Sequence, residues 1–145
     1  ERLAAGAPHA FRLKTDEAAR AAGPLSWFDH VRGEQSARPE IYGDVVLARK
    51  DTPTSYHLAV TVDDALQDIS LVTRGEDLLE ASHVHRLLQA LLELPVPEYH
   101  HHGLIMGPGG KRLAKRDASA TIKHLRDEGK TPTDVRTMAG FGDAR

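Results

Sequence analysis

Four basic side chains follow a glycine-rich stretch in GPGGKRLAKRDA, residues 107–118: Lys111, Arg112, Lys115 and Arg116. Glycine lets the backbone take conformations that are closed to other residues, and Lys and Arg offer hydrogen-bond donors. Such a loop can hold an anion. A mobile ammonium such as that of Lys115 can also follow a phosphate whose charge is redistributed during a reaction. The competing interpretation is a solvated surface turn.

Arg74 and Tyr56 are two further candidates for binding. Arg74 lies near the end of the apolar stretch ISLVTRG, residues 69–75, and a guanidinium there can pair with a carboxylate through two parallel hydrogen bonds. The alternative is an internal salt bridge with Asp63, Asp64 or Asp77. Tyr56 offers a phenolic hydroxyl from the first turn of a predicted helix, and its alternative is half-buried packing.

Three consecutive histidines, His100, His101 and His102, lie in a predicted strand. Because side chains alternate along a strand, His100 and His102 point to one side and His101 to the other. Two imidazoles on one face could ligate a metal, but no third ligand is apparent, so no metal site is predicted. His83 and His85, two residues apart on a predicted helix, do not share a face.

These candidates are positioned by three predicted strands that alternate with two predicted helices. Short apolar runs bounded by charge or glycine predict the strands, which cover residues 44–51, 69–75 and 99–106. This order is typical of βαβ units, so we expect an α/β fold with a mostly parallel sheet and flanking helices. Ligands on such sheets bind beyond the carboxyl ends of the strands. We expect three polar stretches to converge there: RKDTPTSY, TRGED and GPGGKRLAKRD.

The two intervening helices have signals at their ends. Thr52 as cap and Pro53 at the first position predict a helix over residues 54–67. Asp77 and Glu80 have the spacing of an N-terminal capping pair for the second helix, which Pro95 ends. The apolar stripe predicted for this second helix consists of Leu78, Val84, Leu87, Leu88, Leu91 and Leu92.

Smaller elements are predicted at both ends of the chain. Residues 25–34 predict a short strand or a hairpin that turns near Gly33. Residues 119–128 suit a short helix that ends at Gly129, and residues 131–140 suit a last helix capped by Thr131.

The composition limits the class of protein. The 145 residues fit about one domain, and the net charge of −2 means that any contact with nucleic acid must come from a local patch. The absence of cysteine excludes disulfides and thiolate zinc sites and fits a reducing compartment. No apolar run approaches the ~18 residues that a membrane span needs. We therefore expect a cytoplasmic protein that does not contact the membrane.

The segment from about Gly43 to Asp117 resembles the catalytic domain of class I aminoacyl-tRNA synthetases of the glutamyl type. Residues 51–78, DTPTSYHLAVTVDDALQDISLVTRGEDL, are similar to the amino-acid-binding stretch of that family, and RLAKR, residues 112–116, is similar to its lysine-rich second signature. Arg112 stands where the family usually has lysine, and Ala114 where it usually has serine. The resemblance implies a Rossmann-like class I synthetase catalytic domain, of which this chain would be the C-terminal half.

Within the family, the sequence of residues 55–102 is more similar to a tRNA-modifying branch. That branch activates glutamate with ATP and attaches it to the queuosine base in the anticodon of tRNA(Asp). The resemblance implies that Tyr56 and Arg74 bind glutamate, that Lys115 is catalytic, and that Arg112, Lys115 and Arg116 bind ATP. It also implies L-glutamate, ATP (with Mg²⁺) and tRNA(Asp) as partners, and a monomer at full length.

Two parts of the family pattern, a histidine-rich phosphate signature and a zinc-binding cysteine cluster, would lie upstream of Glu1. We therefore expect residues 1–43 to be a peripheral segment of the catalytic domain, residues 44–118 to be the C-terminal half of its core, and residues 119–145 to be a helical tail. We expect the 145-residue chain alone to be inactive. The alternatives are a fragment of a glutamyl-tRNA synthetase that charges tRNA(Glu) and, in another class, a non-catalytic tRNA-binding or interaction domain.

Overall fold

The computed structural model describes residues 9–107 and 121–142. The boundary between its two compact units lies between His102 and Gly103. The strands in the described residues are β1 (Phe11–Leu13), β2 (Ser26–Asp29), β3 (Gly33–Ser36), β4 (Val45–Ala48), β5 (Leu71–Gly75) and β6 (Glu98–His102). The α-helices are α1 (Thr15–Ala22), α2 (Tyr56–Leu66), α3 (Ala81–Leu91), α4 (Ile122–Asp127) and α5 (Pro132–Met138), and short 3-10 turns cover Pro39–Tyr42 and Glu76–Leu78.

Four strands of the first unit form a mixed sheet in the order β3-β2-β6-β5. The hairpin strands β2 and β3 are antiparallel, whereas β6 runs parallel to both β2 and β5. In this register Arg74 lies beside His101, and Asp29 lies beside Tyr99. The predicted α/β class, with helices flanking a largely parallel sheet, is confirmed.

The strand predicted over residues 44–51 forms as β4, but it lies outside this sheet. It pairs antiparallel with β1 in a separate two-stranded ribbon, so the expected succession of three neighbouring strands in one sheet is wrong. The place beside β6 is taken by β2, which comes from the segment expected to be peripheral and which buries Trp27 and Asp29. An apolar run predicts that a strand is buried, but it contains no information about the partner strand.

Helix α3 lies between the two β structures and is buried on two faces. On one face Val84 and Leu88 form an apolar core with Val45 of β4. On the other face, side chains at i, i+3 and i+7 hydrogen-bond to side chains of the four-stranded sheet. These three are Ser82, His85 and Gln89.

The ends of α2 and α3 differ from their predictions. The cap of α2 is Ser55, whose Oγ accepts from the Leu58 N–H at 3.4 Å, and not Thr52. Helix α3 begins only at Ala81, after the 3-10 turn, and Glu80 makes no capping hydrogen bond through its side chain. It ends at Leu91, earlier than predicted. Leu91 and Leu92 are 40% and 44% exposed and therefore do not extend the buried stripe.

The second unit contains the two short helices that the sequence predicts. Thr131 caps α5 in a reciprocal box: its Oγ1 accepts from the Asp134 N–H at 3.2 Å, and Asp134 Oδ2 accepts from the Thr131 N–H at 2.8 Å. Gly129, which follows α4, has a φ of +79°, a conformation that favours glycine. In the parts of the chain that the structure describes, no helix has the length and apolar character required to cross a membrane.

Candidate functional site

Arg74 lies near the C-terminal end of β5 and is held by three side chains. Its Nε donates to His101 Nε2 at 3.0 Å, one terminal nitrogen donates to Ser82 Oγ at 2.6 Å, and the other donates to His85 Nδ1 at 3.2 Å. The guanidinium carbon also lies 5.2 Å from the ring centroid of Tyr99, within cation–π range. Neutral acceptors, rather than carboxylates, receive these three hydrogen bonds, and the nearby carboxylate of Asp64 interacts with Arg74 only through its charge: Arg74 acts to lower the pKa of Asp64, but burial raises it more.

His101 connects Arg74 to a buried carboxylate. The alternation predicted for the three histidines places His101 in the interior, and its Nδ1 lies 2.5 Å from Asp29 Oδ2. Both side chains are fully buried. The ring of His101 stacks on that of Tyr99, two residues earlier on the same face of β6. Asp29, His101 and Arg74 therefore form a row across three neighbouring strands, β2, β6 and β5.

His85 connects Arg74 to the start of α2. Its Nε2 lies 3.1 Å from His57 Nδ1, and the ring of Tyr56 packs edge-on to it with centroids 5.8 Å apart. Tyr56 itself is 51% exposed. The two residues predicted to bind glutamate, Tyr56 and Arg74, thus come from different elements and both contact the same buried imidazole.

The histidines of this cluster are held neutral by their surroundings. Burial, and then the charge of Arg74, lowers the pKa of His85 to about 3. The same two causes lower the pKa of His57. Burial also lowers the pKa of His101, more strongly than its bond to Asp29 raises it. Burial acts to raise the pKa of Asp29, but hydrogen bonds from His101 and two backbone N–H groups outweigh it and lower that pKa.

A concave pocket of about 440 Å³ lies beside this cluster. Tyr56 and His57 of α2 line it together with the loop that precedes α2, whereas Arg74 is not among its lining residues. The pocket and the Arg74 cluster therefore share α2 as a wall. The lining residues are Tyr42, Asp44, Val45, Val46, Arg49, Thr52, Thr54, Ser55, Tyr56 and His57.

The third predicted part of the site lies outside the described residues. These are the loop bases Arg112, Lys115 and Arg116. Because β4 belongs to the separate ribbon, the expected convergence of three loops at one sheet edge does not hold for RKDTPTSY. Its last residue, Tyr56, approaches Arg74 through His85 instead.

Six residues of the cluster were not assigned to the site from the sequence: Asp29, His57, Ser82, His85, Tyr99 and His101. A signal for two of them existed, because Ser82 and His85 share a helical face with Gln89. Such a polar stripe ordinarily indicates solvent, but here it faces the sheet. Asp29 lies two residues after Trp27 in β2, so the two side chains are on the same face of the strand. This spacing gives no reason to expect a carboxylate in the interior.

Among residues 9–107 and 121–142, no group of three or more His, Cys, Asp or Glu side chains is arranged to hold a metal ion. His100 is half-buried on the opposite side of β6 from His101, as the alternation predicts. Of the three consecutive histidines, His101 takes part in the cluster, with Nδ1 bonded to Asp29 and Nε2 in contact with Arg74 and Ser82.

Comparison with known proteins gives consistent matches along the chain. The family described as "tRNA synthetases class I (E and Q), catalytic domain" matches residues 1–141. A glutamyl-Q tRNA(Asp) synthetase from Rhodobacter capsulatus is 51% identical over 136 residues, which are 91% of this chain and 49% of that protein. One from Nocardia farcinica is 39% identical over 95% of this chain and 42% of that protein. The chain thus spans about half the length, or less, of these relatives.

The matches extend to glutamate–tRNA ligases. Glutamate–tRNA ligase 2 of Coxiella burnetii is 41% identical over 84% of this chain and 25% of that protein. A glutamate tRNA ligase from Elizabethkingia meningosepticum, solved in complex with its amino acid, superposes with a TM-score of 0.64 at 31% identity, over 81% of this chain and 23% of that one.

Proposed function

Because the chain belongs to the class I tRNA synthetases (E and Q), catalytic domain, we propose that the protein activates L-glutamate with ATP and transfers it to the queuosine base of tRNA(Asp). In the first step the glutamate carboxylate attacks ATP, an adenylate forms and pyrophosphate leaves. In the second step a nucleophilic group of the base attacks the carbonyl carbon of the adenylate, the acyl–phosphate bond breaks, the glutamyl group is bonded to the base and AMP leaves. The proposal includes a cytoplasmic enzyme that acts as a monomer and uses ATP with Mg²⁺.

The observation that carries the proposal is the state of Arg74. Three neutral acceptors hold its guanidinium at the end of β5 and take three of its five N–H groups. A half-buried cation that is oriented in this way favours an anionic ligand, and a carboxylate can accept two parallel hydrogen bonds from it. Arg74 is therefore assigned to a carboxylate of glutamate, and Tyr56, on the other side of His85, to the rest of that substrate.

The ATP-handling role is assigned to the loop bases. Arg112, Lys115 and Arg116 would contact the phosphates, and Lys115 would stabilise the negative charge that develops as pyrophosphate leaves. Ala114 replaces the hydroxyl usual in the motif, so charge rather than a serine donor would serve this loop. These assignments rest on the sequence, since the loop lies outside the described residues.

The choice of queuosine as acceptor is supported by relatives named glutamyl-Q tRNA(Asp) synthetase, at 51% and 39% identity. The second candidate, charging of tRNA(Glu), is supported by glutamate–tRNA ligases at 41% identity. The 51% identity to the Rhodobacter capsulatus protein and the larger shares of the relatives covered, 49% and 42% against 25%, favour the first. A non-catalytic tRNA-binding domain has no comparable support from these matches.

Transfer of labelled glutamate by the intact protein tests the proposal. Three RNA substrates are compared: tRNA(Asp) containing queuosine, the same tRNA with unmodified guanine, and tRNA(Glu). Label should enter only the first, and nuclease digestion should release it with the anticodon fragment. Label released with the 3′-terminal adenosine of tRNA(Glu) would establish the second candidate instead. Binding of tRNA without glutamate-dependent pyrophosphate exchange would overturn both.

A further inference from the structure

We propose that Asp29 positions Arg74 for its anionic ligand by fixing the tautomer of His101, so that Asp29 and His101 are positioning residues for the activation step. The inference deepens the proposed function, and it rests on that function for the identity of the ligand. Asp29 and His101 were not assigned to the site from the sequence. Their role follows from which nitrogen and oxygen atoms can donate a hydrogen bond and which can only accept one.

The hydrogen bond between Arg74 and His101 can have only one direction. An arginine side chain has five N–H donors and no acceptor. Since Arg74 Nε lies 3.0 Å from His101 Nε2, this imidazole nitrogen must accept and therefore carries no proton. A neutral imidazole then has its proton on Nδ1. That N–H donates to Asp29 Oδ2 at 2.5 Å.

The carboxylate of Asp29 has a fixed orientation. Asp29 Oδ1 accepts from the backbone N–H groups of Val31 and Arg32 at 2.8 and 3.0 Å. These two donors of the hairpin turn keep Oδ1 in place, which leaves Oδ2 for His101. The turn between β2 and β3 therefore decides which oxygen meets the imidazole. The lowered pKa of Asp29 agrees with a carboxylate that stays ionised in this position.

The two histidines that hold Arg74 differ in the group to which each donates its own ring proton. By the same argument His85 Nδ1 accepts from Arg74, and His85 Nε2–H donates to His57 Nδ1 at 3.1 Å. His85 is thus backed by another neutral imidazole, whereas His101 is backed by an anion. An ionised acceptor behind an imidazole strengthens the imidazole as an acceptor. The His101 side therefore defines the orientation of Arg74 more strongly.

Asp29→Asn separates this role from simple packing, because asparagine has nearly the same shape. With its carbonyl held by Val31 and Arg32, the new amide would place its NH₂ group towards His101 Nδ1. His101 would then accept at Nδ1 and carry its proton on Nε2, where it would confront the N–H of Arg74 and compete with Arg74 for Ser82 Oγ, 3.2 Å from Nε2. The variant retains the shape of the site but replaces one acceptor of Arg74 with a donor.

Pyrophosphate exchange by the intact protein is the kinetic test. We expect Asp29→Asn to raise KM for glutamate about tenfold or more, the effect of losing one charge-assisted hydrogen bond, and to leave KM for ATP within about twofold. Glu98→Gln is the matched control. Its carboxylate contacts His30 Nε2 at 2.7 Å on the opposite face of β6 from His101, where the side chains of His30 and Glu98 are 43% and 58% exposed, and the substitution should change neither KM.

A second background keeps the test decisive if Asp29→Asn also lowers stability. In His101→Gln a side-chain carbonyl can accept from Arg74 without any tautomer to invert. Adding Asp29→Asn to that background should raise KM for glutamate much less than it does in the wild type. An equal increase in both backgrounds would show that Asp29 acts through packing alone and would overturn the proposal.

¹⁵N spectra of the histidine rings test the tautomer without substrate. His101 should have its proton on Nδ1 in the wild type and on Nε2 in Asp29→Asn, whatever reaction the protein catalyses. The same tautomer in both proteins would refute the proposal. If the spectra change as expected but the wild-type protein does not activate glutamate, the function is wrong and the assignment of the ligand to glutamate falls with it.

Discussion

His85 Nδ1 accepts a hydrogen bond from Arg74 across 3.2 Å in the interior of the first unit. The opposite ring nitrogen of His85 bonds to His57, and Tyr56 packs against the same ring. A buried imidazole in this position serves as an acceptor only while it is neutral, because a protonated ring would place a second positive charge against the guanidinium. The arrangement therefore links the integrity of the candidate site to pH.

Acid should destabilise the protein through His85. Its pKa is about 3 in the folded chain and about 6.5 in an unfolded one, so between these values the unfolded state binds more protons. The free energy of unfolding is then constant with respect to this group above about pH 6.5 and falls as the pH drops below it. The slope for one proton approaches about 1.4 kcal/mol per pH unit.

Denaturant unfolding at pH 7.5, 6.0 and 5.0 measures this slope. The lowered pKa values of His57 and His101 add to it with the same sign. In His85→Gln the slope should be smaller by the contribution of one proton, whatever the variant's stability at pH 7.5. Identical slopes in the two proteins would mean that His85 is not held neutral.

Arg74→Ala should weaken the use of glutamate by about 2–4 kcal/mol in kcat/KM, because a charged partner of the substrate carboxylate would be lost. KM for ATP should change little. Arg74→Lys should recover only part of the loss, since an ammonium does not reproduce the planar fork. Thermal unfolding distinguishes binding from folding, and near wild-type glutamate activation in a folded Arg74→Ala protein would show that the role of Arg74 is structural.

Lys115→Ala should lower kcat for pyrophosphate exchange far more than it raises KM for glutamate. The expected loss is on the order of 100-fold, the scale seen when one positioned donor to a developing charge is removed. Lys123→Ala, in the short helix α4, serves as a comparison with the same change of charge. An unchanged kcat in Lys115→Ala would favour the competing interpretation, in which the loop is a solvated surface turn.

The same leucine-to-alanine substitution should change the free energy of unfolding by different amounts at two positions of α3. Leu87 is fully buried, whereas Leu91, one turn later on the same helix, is 40% exposed. Leu87→Ala should lower the free energy of unfolding by about 2–5 kcal/mol because it leaves a cavity. Leu91→Ala should cost about 1 kcal/mol or less, because it removes less buried apolar surface. Equal losses in denaturant titrations would contradict the placement of the helix.

Local sequence signals predicted where helices and strands occur in this chain better than they predicted which elements contact one another. Thr131, Pro132 and Gly129 marked the helices of the second unit correctly because caps and positive φ angles depend on a few adjacent residues. Thr52 and Pro53 predicted the start of α2 too early, because a local signal does not register how the chain turns before the helix. They have the composition of a helix start, but the Arg49 N–H bonds to the Thr52 carbonyl at 2.9 Å, so the chain turns there first.

Long-range relationships were predicted less well. A short apolar run ending in charge identified β4 as a buried strand, yet pairing with β1 was not encoded in any pattern within β4 itself. For the candidate site, Arg74 and Tyr56 were chosen from the sequence, but the residues that hold them were not. Asp29 is separated from His101 by 72 positions, and polar side chains in an interior contradict the usual correlation between polarity and exposure.

The two buried faces of α3 have a consequence for how this stretch can vary. A helix at a surface has one side on which almost any hydrophilic residue is acceptable. In α3 the apolar face meets Val45, and the polar face holds Arg74 and Tyr99, so few positions are free of constraint. In a saturation library of residues 81–91, surviving sequences should therefore be few and should retain small or polar side chains at 82, 85 and 89. The corresponding library of the exposed helix α5 should accept a far broader alphabet.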